Sequence, residues 1–162
     1  MEKSRLMLGF KLLISLVICQ ITAVLGSAIT RHGMANWYNE INKPFFTPPS
    51  WIFVSVWSFV FVMAGIALFI VLIQNEKYKE VVSATIFFIA QLLVNTLFSV
   101  VFFVFHWILG GIFVQAFLLI LLIITTIKFF KIYDLAGFLM VPYVLWIIFA
   151  IILNTAIFLL NI

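Results

Sequence analysis

The residues best suited to hold a ligand lie in the last apolar stretch of the chain. Tyr143, Trp146, Ala150 and Asn154 follow a spacing of i, i+3, i+7 and i+11, which places them on one face of a helix. The Tyr and Trp rings offer flat apolar surfaces, and their hydroxyl and indole N–H groups each need a hydrogen-bond partner when buried. This combination is typical of a wall that binds a flat, mostly apolar molecule. Plain aromatic core packing would produce the same spacing, so both interpretations stay open.

Two earlier apolar stretches carry matching faces of aromatic and amide side chains. Amide groups that face lipid would leave their hydrogen bonds unmet, so Gln91 and Asn95 are expected to point into the protein. There they could contact a ligand, or they could hydrogen-bond to neighbouring helices, the common role of such residues in membranes. The three faces together predict an apolar chamber with a few polar groups. The residues of the two earlier faces are Gln91, Asn95, Phe98, Ser99 and Phe102, and Phe53, Trp57 and Phe61.

The overall composition is that of an integral membrane protein. The 162-residue chain is 67% hydrophobic and 9% charged, with a mean hydropathy of +1.34, whereas soluble domains are about 45–50% apolar and about 25% charged. Its one cysteine, Cys19, excludes a disulfide framework within the chain and a cysteine-rich metal site. The formal charge of +4 comes from bases near the ends of the apolar stretches, which indicates membrane orientation and no nucleic-acid binding.

Five apolar stretches are long enough to cross a bilayer as helices, which takes about 20 residues each. None alternates polar and apolar residues as a membrane strand would. The predicted fold is therefore an all-α integral membrane bundle of five transmembrane helices, in one domain over residues 1–162, with a long loop between the first two helices. An alternative is that residues 1–28 are a signal peptide cleaved near Ser27 and Ala28. The predicted helices cover about residues 6–29, 51–73, 81–105, 110–127 and 135–160.

The bases fall unevenly on the two sides of such a bundle. With five spans, the N-terminus and the second and fourth connections share one side, and they hold seven of the nine bases. The positive-inside rule then places the N-terminus in the cytoplasm and the long loop outside. The seven bases are Lys3, Arg5, Lys11, Lys77, Lys79, Lys128 and Lys131, and the other two are Arg31 and Lys43.

The stretch over residues 37–57, which includes most of the long loop over residues 30–50, is rich in aromatic residues and carries only Glu40 and Lys43 as charged residues, unlike most loops between membrane helices. Its three prolines each fix φ, so the loop is stiff and loses little entropy when it closes, which favours a lid over the chamber. An aromatic belt at the membrane surface would need no ligand at all. We expect a short interfacial helix near residues 34–41, and Ser50 or Thr47 as the N-cap of the second span. The aromatic residues of the loop and its border are Trp37, Tyr38, Phe45, Phe46, Trp51 and Phe53.

Few residues could support metal or acid–base chemistry. His32 and His106 fall in different loops, which we place on opposite faces of the bundle, and no glycine-rich phosphate loop is present. We therefore predict no metal site, no required cofactor and no catalytic residues of the usual kinds. No charged residue lies deep inside a predicted span, which argues against ion-coupled transport but not against passage of an apolar ligand.

These residues, in this order, resemble the TspO/MBR family, which comprises the tryptophan-rich sensory proteins of bacteria and the translocator protein of mitochondria. The resemblance implies five helices in the lipid bilayer, commonly a homodimer, and a pocket beneath the first loop. Family members bind tetrapyrroles such as protoporphyrin IX and haem, and synthetic drug-like ligands. The short loops and the lack of a mitochondrial presequence favour a bacterial cell membrane. The motifs that match are Trp37-Tyr38, Lys43-Pro44, Thr47-Pro48-Pro49, Phe53, Trp57 and Gly65, then Gln91, Asn95, Ser99 and Phe102-Phe103, and finally Pro142-Tyr143, Trp146, Phe149-Ala150, Asn154 and Asn161.

The resemblance also implies which residues bind the ligand, and it shows three departures. Phe98 stands where the family often has Trp, and Phe61 stands where Tyr is frequent. The sterol motif of cholesterol-binding relatives is absent after Asn154, so sterol transport is not expected as the native task. By matching positions, the pocket would be lined by Trp57, Asn95, Phe98, Tyr143, Trp146, Phe149 and Ala150. The lid and upper wall would be formed by Trp37, Phe46 and Trp51. The helix faces described above add Phe53, Gln91 and Asn154 to the candidate ligand-binding residues.

Three functions compete. The leading one is a membrane protein that binds tetrapyrroles or similar flat apolar molecules and acts as a sensor, carrier or regulator. The second is an enzyme that degrades porphyrin with light and oxygen, in which Trp57 and Trp146 would take part as redox groups. The third is a membrane scaffold with no native small ligand, for which Ala23 and Ser27 would permit close helix contact.

Overall fold

The described part of the chain contains five helices long and apolar enough to cross a membrane, which confirms the predicted all-α fold. The computed structural model describes residues 2–35 and 37–162, apart from the side chains of residues 2–5, 32, 34, 35 and 75. A 3-10 turn at Asn75–Lys77 precedes the third span, and a π-helical turn at Val100–Val104 follows it directly. The helices are α1 (Glu2–Ala35), the single turn α2 (Trp37–Glu40), α3 (Ser50–Leu72), α4 (Tyr78–Ser99), α5 (Ile108–Ile132) and α6 (Asp134–Leu160).

The five spans close into a ring in the order α1, α3, α6, α5, α4. A small residue lets the first two approach closely, because a Cβ on Gly65 of α3 would lie 2.9 Å from the Leu16 side chain and 3.3 Å from the Ser15 carbonyl oxygen of α1. On the other side, a Cβ on Gly26 of α1 would lie 3.6 Å from Ser99 Oγ of α4. Residue 26 of α1 is thus level with residue 99 of α4, and these two parallel helices can be compared turn by turn.

Lysine side chains complete the helix ends on the side of the bundle where α1 begins. Lys11 Nζ donates to the Leu72 carbonyl oxygen at 2.8 Å, and Lys77 Nζ donates to the Lys131 and Ile132 carbonyl oxygens at 2.9 Å each. The last carbonyls of a helix have no partner within it, and a cation also interacts favourably with that end of the helix dipole. The bases on this side therefore join α1 to α3 and α4 to α5.

The fourth span is longer than predicted. α5 continues through Lys128 and Lys131 to Ile132, where a basic link was expected, and only Tyr133 separates it from α6. Charge did not end the helix because lysine is a good helix former, and Lys128 Nζ reaches back to donate to Ser83 Oγ at 2.9 Å. α6 begins at Asp134, one residue before its predicted start.

The connection between α1 and α3 corrects the expected cap. α2 is a single turn inside the predicted interfacial helix, and Asn36 lies outside the described residues. Ser50 is the first residue of α3 and makes no capping bond; the N-cap position belongs to Pro49, which is extended at φ −62° and ψ 152°. Thr47 does not compete for this role, because its N–H and its hydroxyl both donate to the Pro44 carbonyl oxygen, at 3.0 and 2.8 Å.

The turn between α4 and α5 corrects the expected placing of the histidines. His106 has a φ of 54°, in the left-handed region that reverses the chain after the π-helical turn. Its ring stacks on that of Trp37, with the centroids 4.6 Å apart. His106 therefore lies at the same end of the bundle as the last turns of α1, where residue 32 stands, and not on the opposite face. The reason is topological, since the first and third connections of an antiparallel bundle share a side.

Candidate functional site

Aromatic residues of α3 and α6 pack together where the two helices meet, and we call this group the indole cluster. Trp57 is at its centre, with its ring centroid 5.4 Å from that of Phe61, 6.0 Å from Tyr143 and 6.2 Å from Trp146. Trp146 also stacks on Phe149, one turn further along α6, at 5.3 Å. Each favourable ring pair contributes about 0.5–1.5 kcal/mol beyond the area buried. The members are Phe53, Trp57, Phe61, Tyr143, Trp146 and Phe149.

A hydrogen bond across the bundle joins α4 to this cluster. Asn95 Nδ2 donates to the Tyr143 hydroxyl oxygen at 2.7 Å, and both side chains are buried, with 6% and 0% of their surface exposed. The bond satisfies one polar group from each side in a region that excludes water. Asn95 thus holds the wall formed by α4 at a fixed distance from the rings of α6.

Three buried polar atoms beside this bond have no partner among the described residues. Both side-chain polar atoms of Gln91 and the indole Nε1 of Trp146 lack a hydrogen bond, and Gln91 is 0% exposed. Gln91 is one turn from Asn95, about 6 Å along α4, and Trp146 is about 4.5 Å from Tyr143 along α6. Because α4 and α6 run in parallel, the two groups lie on opposite sides of the Asn95–Tyr143 bond. Unmet polar groups in an apolar interior are costly, so each is a place where a ligand or a water would be stabilised.

A second polar pair joins α5 to α6. Asn154 Nδ2 donates to Gln115 Oε1 at 2.8 Å, and both residues are buried. Ala150, also buried, lies one turn before Asn154 on the same face of α6. The predicted face of α6 therefore points into the bundle. It contacts α3 and α4 through Tyr143 and Trp146, and it contacts α5 through Asn154. Sequence reasoning missed Gln115, and its position in an apolar span was the signal that could have found it.

Aromatic residues at the C-terminal end of α4 form a second group that adjoins the indole cluster. Trp37 contacts Phe102 edge to face at 5.5 Å, and Tyr38 lies 5.8 Å from Phe103. Phe98, predicted to line the same pocket as Trp57, tilts onto Phe102 at 5.4 Å. Trp37 and Phe98, which the sequence placed in one site with Trp57 and Trp146, pack around the π-helical turn, and they share a hydrophobic cluster with Phe53 and Phe149 of the indole cluster.

The remaining predicted lid residues are exposed. Phe46 is 37% exposed and Trp51 is 68% exposed, and among the described residues neither pairs its ring with Trp57 or Trp146. The loop is fastened instead at its other side by two asparagines. Asn42 N–H donates to Asn161 Oδ1 and Asn161 Nδ2 donates to the Asn42 carbonyl oxygen, both at 2.9 Å. This clasp holds the loop to the end of α6, and Asn42 was not singled out in the sequence.

Two openings in the described part of the chain lie away from the indole cluster. A crevice of about 370 Å³ lies between α1, the end of α3 and the start of α4. Another opening lies around Lys77 and the junction of α5 and α6. Neither is lined by any residue of the indole cluster.

Comparison with known proteins decides the family. A sequence profile described as the TspO/MBR family matches residues 15–160. The chain belongs to the TspO/MBR family. It is 36% identical over 151 residues to a tryptophan-rich protein TspO of Archaeoglobus fulgidus, which covers 93% of this chain and 97% of that one. It is 34% identical over 144 residues to a protein of the same name from Chlorobaculum tepidum, covering 89% and 91%. A protein named CrtK from Rhodobacter capsulatus is 32% identical over 125 residues, 77% of this chain and 78% of that one.

The family match covers both the indole cluster and the loop, since it extends over residues 15–160. Within this TspO/MBR chain, the structure brings together Phe53, Trp57, Tyr143, Trp146, Phe149 and Asn95. It places Gln91 and Ala150 at the edge of that group and Asn154 beyond it. Trp37 and Phe98 belong to the group around the π-helical turn. Phe46 lies in the exposed loop, and Trp51 is an exposed residue in the first turn of α3.

Proposed function

We propose that this chain binds a flat tetrapyrrole, of which protoporphyrin IX and haem are the examples, against the indole cluster and acts as a sensor, carrier or regulator. The observation that carries the proposal is the indole Nε1 of Trp146, which is buried between three aromatic neighbours and has no hydrogen-bond partner among the described residues. An apolar macrocycle with polar nitrogens and carboxylates suits rings that stack and a donor that needs an acceptor. One relative, from Cereibacter sphaeroides, is named tryptophan-rich sensory protein, which supports a sensing role.

Binding requires the indole cluster to open. Trp57 and Trp146 are only half-buried and meet nearly at right angles, at 89°, so rotation of one side chain exposes the face of the other. The loop over residues 41–49 contacts the end of α6 through the asparagine clasp and borders the start of α3, which supports its role as the entrance. The ligand would replace ring–ring contacts by ring–macrocycle contacts of similar strength, and the net gain would come from the donor on Trp146.

A titration with protoporphyrin IX, followed by porphyrin absorbance, tests the proposal. Trp146→Phe keeps an aromatic ring but removes the N–H, so the dissociation constant should rise by roughly 2- to 12-fold, the equivalent of one hydrogen bond. Trp107→Phe is the matched control, because Trp107 is 58% exposed at the other end of α4 and outside the cluster. Equal affinity of both variants and the unmodified protein would contradict the proposed binding mode.

We also propose that the N-terminus lies in the cytoplasm and that the chain forms a homodimer. The first proposal is supported by the five described lysines at the end where α1 begins, and the second by the family resemblance. Only 11% of the apolar part of α1 is buried, against 33–39% of the other spans, so α1 has an open apolar face for lipid or for a second copy. Labelling of single cysteines at positions 42 and 79 from either side of sealed vesicles would test the orientation.

A further inference from the structure

The crevice near the start of α1 combines a cation with an apolar wall. It holds about 370 Å³ and is open toward the surface of the bundle. Lys11 lies on one side of it, Gln74 and Tyr78 at its mouth, and Val82, Thr85 and Ile86 along α4. Among the described residues that line it there is no carboxylate, although Glu76 and Glu80 stand nearby in the sequence.

The position of Lys11 is fixed by the fold. Its side chain is half-buried, and Nζ donates to the Leu72 carbonyl oxygen at 2.8 Å at the last turn of α3. An ammonium group carries three donors, and within the described residues one of them has an acceptor. A lysine held in this way at a helix end stands at the level of the lipid headgroups, with donors directed at whatever fills the crevice.

The wall below Lys11 faces hydrocarbon. Val82 is 40% exposed and Ile86 is 62% exposed, and they follow one another by one turn along α4. The crevice therefore continues as an apolar groove on the lipid-facing side of the bundle. An occupant that satisfies both parts needs a negative charge at one end and an alkyl chain at the other.

We infer that this crevice binds one anionic phospholipid, with the phosphate on Lys11 Nζ and an acyl chain along the groove of Val82 and Ile86. Gln74 and Tyr78 are placed to contact the glycerol and headgroup. Basic crevices between membrane helices on the cytoplasmic side recognise anionic headgroups in this way. The site lies at the opposite end of the bundle from the loop, and it does not depend on the proposed binding of tetrapyrroles.

The test compares phospholipids retained by the purified full-length protein after reconstitution into bilayers of equal phosphatidylglycerol and phosphatidylcholine. Native mass spectrometry should show one tightly held phosphatidylglycerol on the unmodified protein. Lys11→Gln should reduce that retention about fivefold, the effect of one lysine near a charged surface. Lys79→Gln is the matched control, since Lys79 is an exposed lysine at the same end that does not line the crevice.

A second variant keeps the test informative if Lys11→Gln weakens the contact between α1 and α3. Ile86→Trp fills the groove but leaves Lys11 in place, and it should also reduce phosphatidylglycerol retention while protoporphyrin titration stays unchanged. If Lys11→Gln and Lys79→Gln both retain less phosphatidylglycerol, general surface charge holds the lipid. If Lys11→Gln and Ile86→Trp both retain as much as the unmodified protein, the crevice is not the site. Inorganic phosphate added without lipid should not be retained by the protein in native mass spectra. Retention of inorganic phosphate would overturn the assignment to a phospholipid.

Discussion

Replacing one buried glutamine should stabilise this protein, while the same replacement at another should destabilise it. Gln91 and Gln115 are both buried, at 0% and 1% exposure, and both stand inside membrane spans. Gln115 Oε1 accepts a hydrogen bond from Asn154 Nδ2 at 2.8 Å, whereas both polar atoms of Gln91 lack a partner among the described residues. The two sites thus form a matched pair that differs in hydrogen bonding and not in burial.

The magnitudes follow from the cost of an unmet polar group. Burying an amide without a hydrogen bond costs about 1–3 kcal/mol in proteins, and the figure shrinks in membranes because the unfolded chain also finds partners. Gln91→Leu removes such a group and should raise the free energy of unfolding of the ligand-free protein by about 1 kcal/mol. Gln115→Leu leaves Asn154 Nδ2 unpaired and should lower it by about 1 kcal/mol. The expected difference between the two variants is therefore about 2 kcal/mol.

Reversible unfolding in mixed detergent micelles, followed by helical circular dichroism, measures both values. The same samples should be titrated with protoporphyrin IX, because a polar group retained at a cost in stability is expected to serve a ligand. Gln91→Leu should then gain stability and lose affinity. Two variants that shift stability in the same direction would refute the reasoning, since they would show that the pairing of the amide does not decide its contribution.

Three further predictions concern the other contacts. Tyr143→Phe removes the acceptor of Asn95 Nδ2 and should lower the unfolding free energy by about 1 kcal/mol. Adding Asn95→Leu to the same chain should recover most of this loss, which a double-mutant cycle in micelles would measure. Asn161→Ala breaks the clasp on Asn42 and should speed proteolysis in residues 41–49 roughly tenfold, with helix content unchanged. Burial raises the pKa of Tyr38 above its ordinary value of about 10. The packing of its neutral phenol is therefore fully stabilising below about pH 10 and is lost as the pH rises through the raised pKa, and phenolate absorbance with Tyr38→Phe as the control would measure this loss. A tyrosine that ionises at or below pH 10 in the folded protein would contradict the last prediction, and unchanged proteolysis of Asn161→Ala would contradict the second.

Local pattern explains why the bundle was predictable and why its helix ends were not. Runs of about 20 apolar residues have one stable form in a bilayer, because only a helix satisfies its own backbone there. The ends depend on side chains that reach across to other helices, as Lys128 does to Ser83 at the end of α5. Ser50 failed as a cap for a related reason, since an extended Pro49 took the N-cap position and Thr47 was already engaged with Pro44.

The sequence predicted which helix faces point into the bundle, but it did not predict how the aromatic rings on those faces pack against one another. Spacing alone placed Trp57, Tyr143 and Trp146 inside the bundle, and they meet there. Spacing could not show that α4 continues into a π-helical turn in which Phe102 packs edge to face against Trp37, because a π turn shifts the helical register by one residue without a clear signal in the sequence.

Apolar length, helical periodicity and proline chemistry are local properties of the chain, so they specify a membrane protein with five helices, inward aromatic and amide faces and a stiff first loop. Which polar groups have hydrogen-bond partners depends instead on how the helices pack against one another. Asn95 donates a hydrogen bond to Tyr143, and Asn154 donates one to Gln115, while Gln91 and the indole of Trp146 have no hydrogen-bond partner among the described residues. A hydrogen bond depends on distances of a few tenths of an ångström between different helices, and these distances are set by how the whole ring of helices packs.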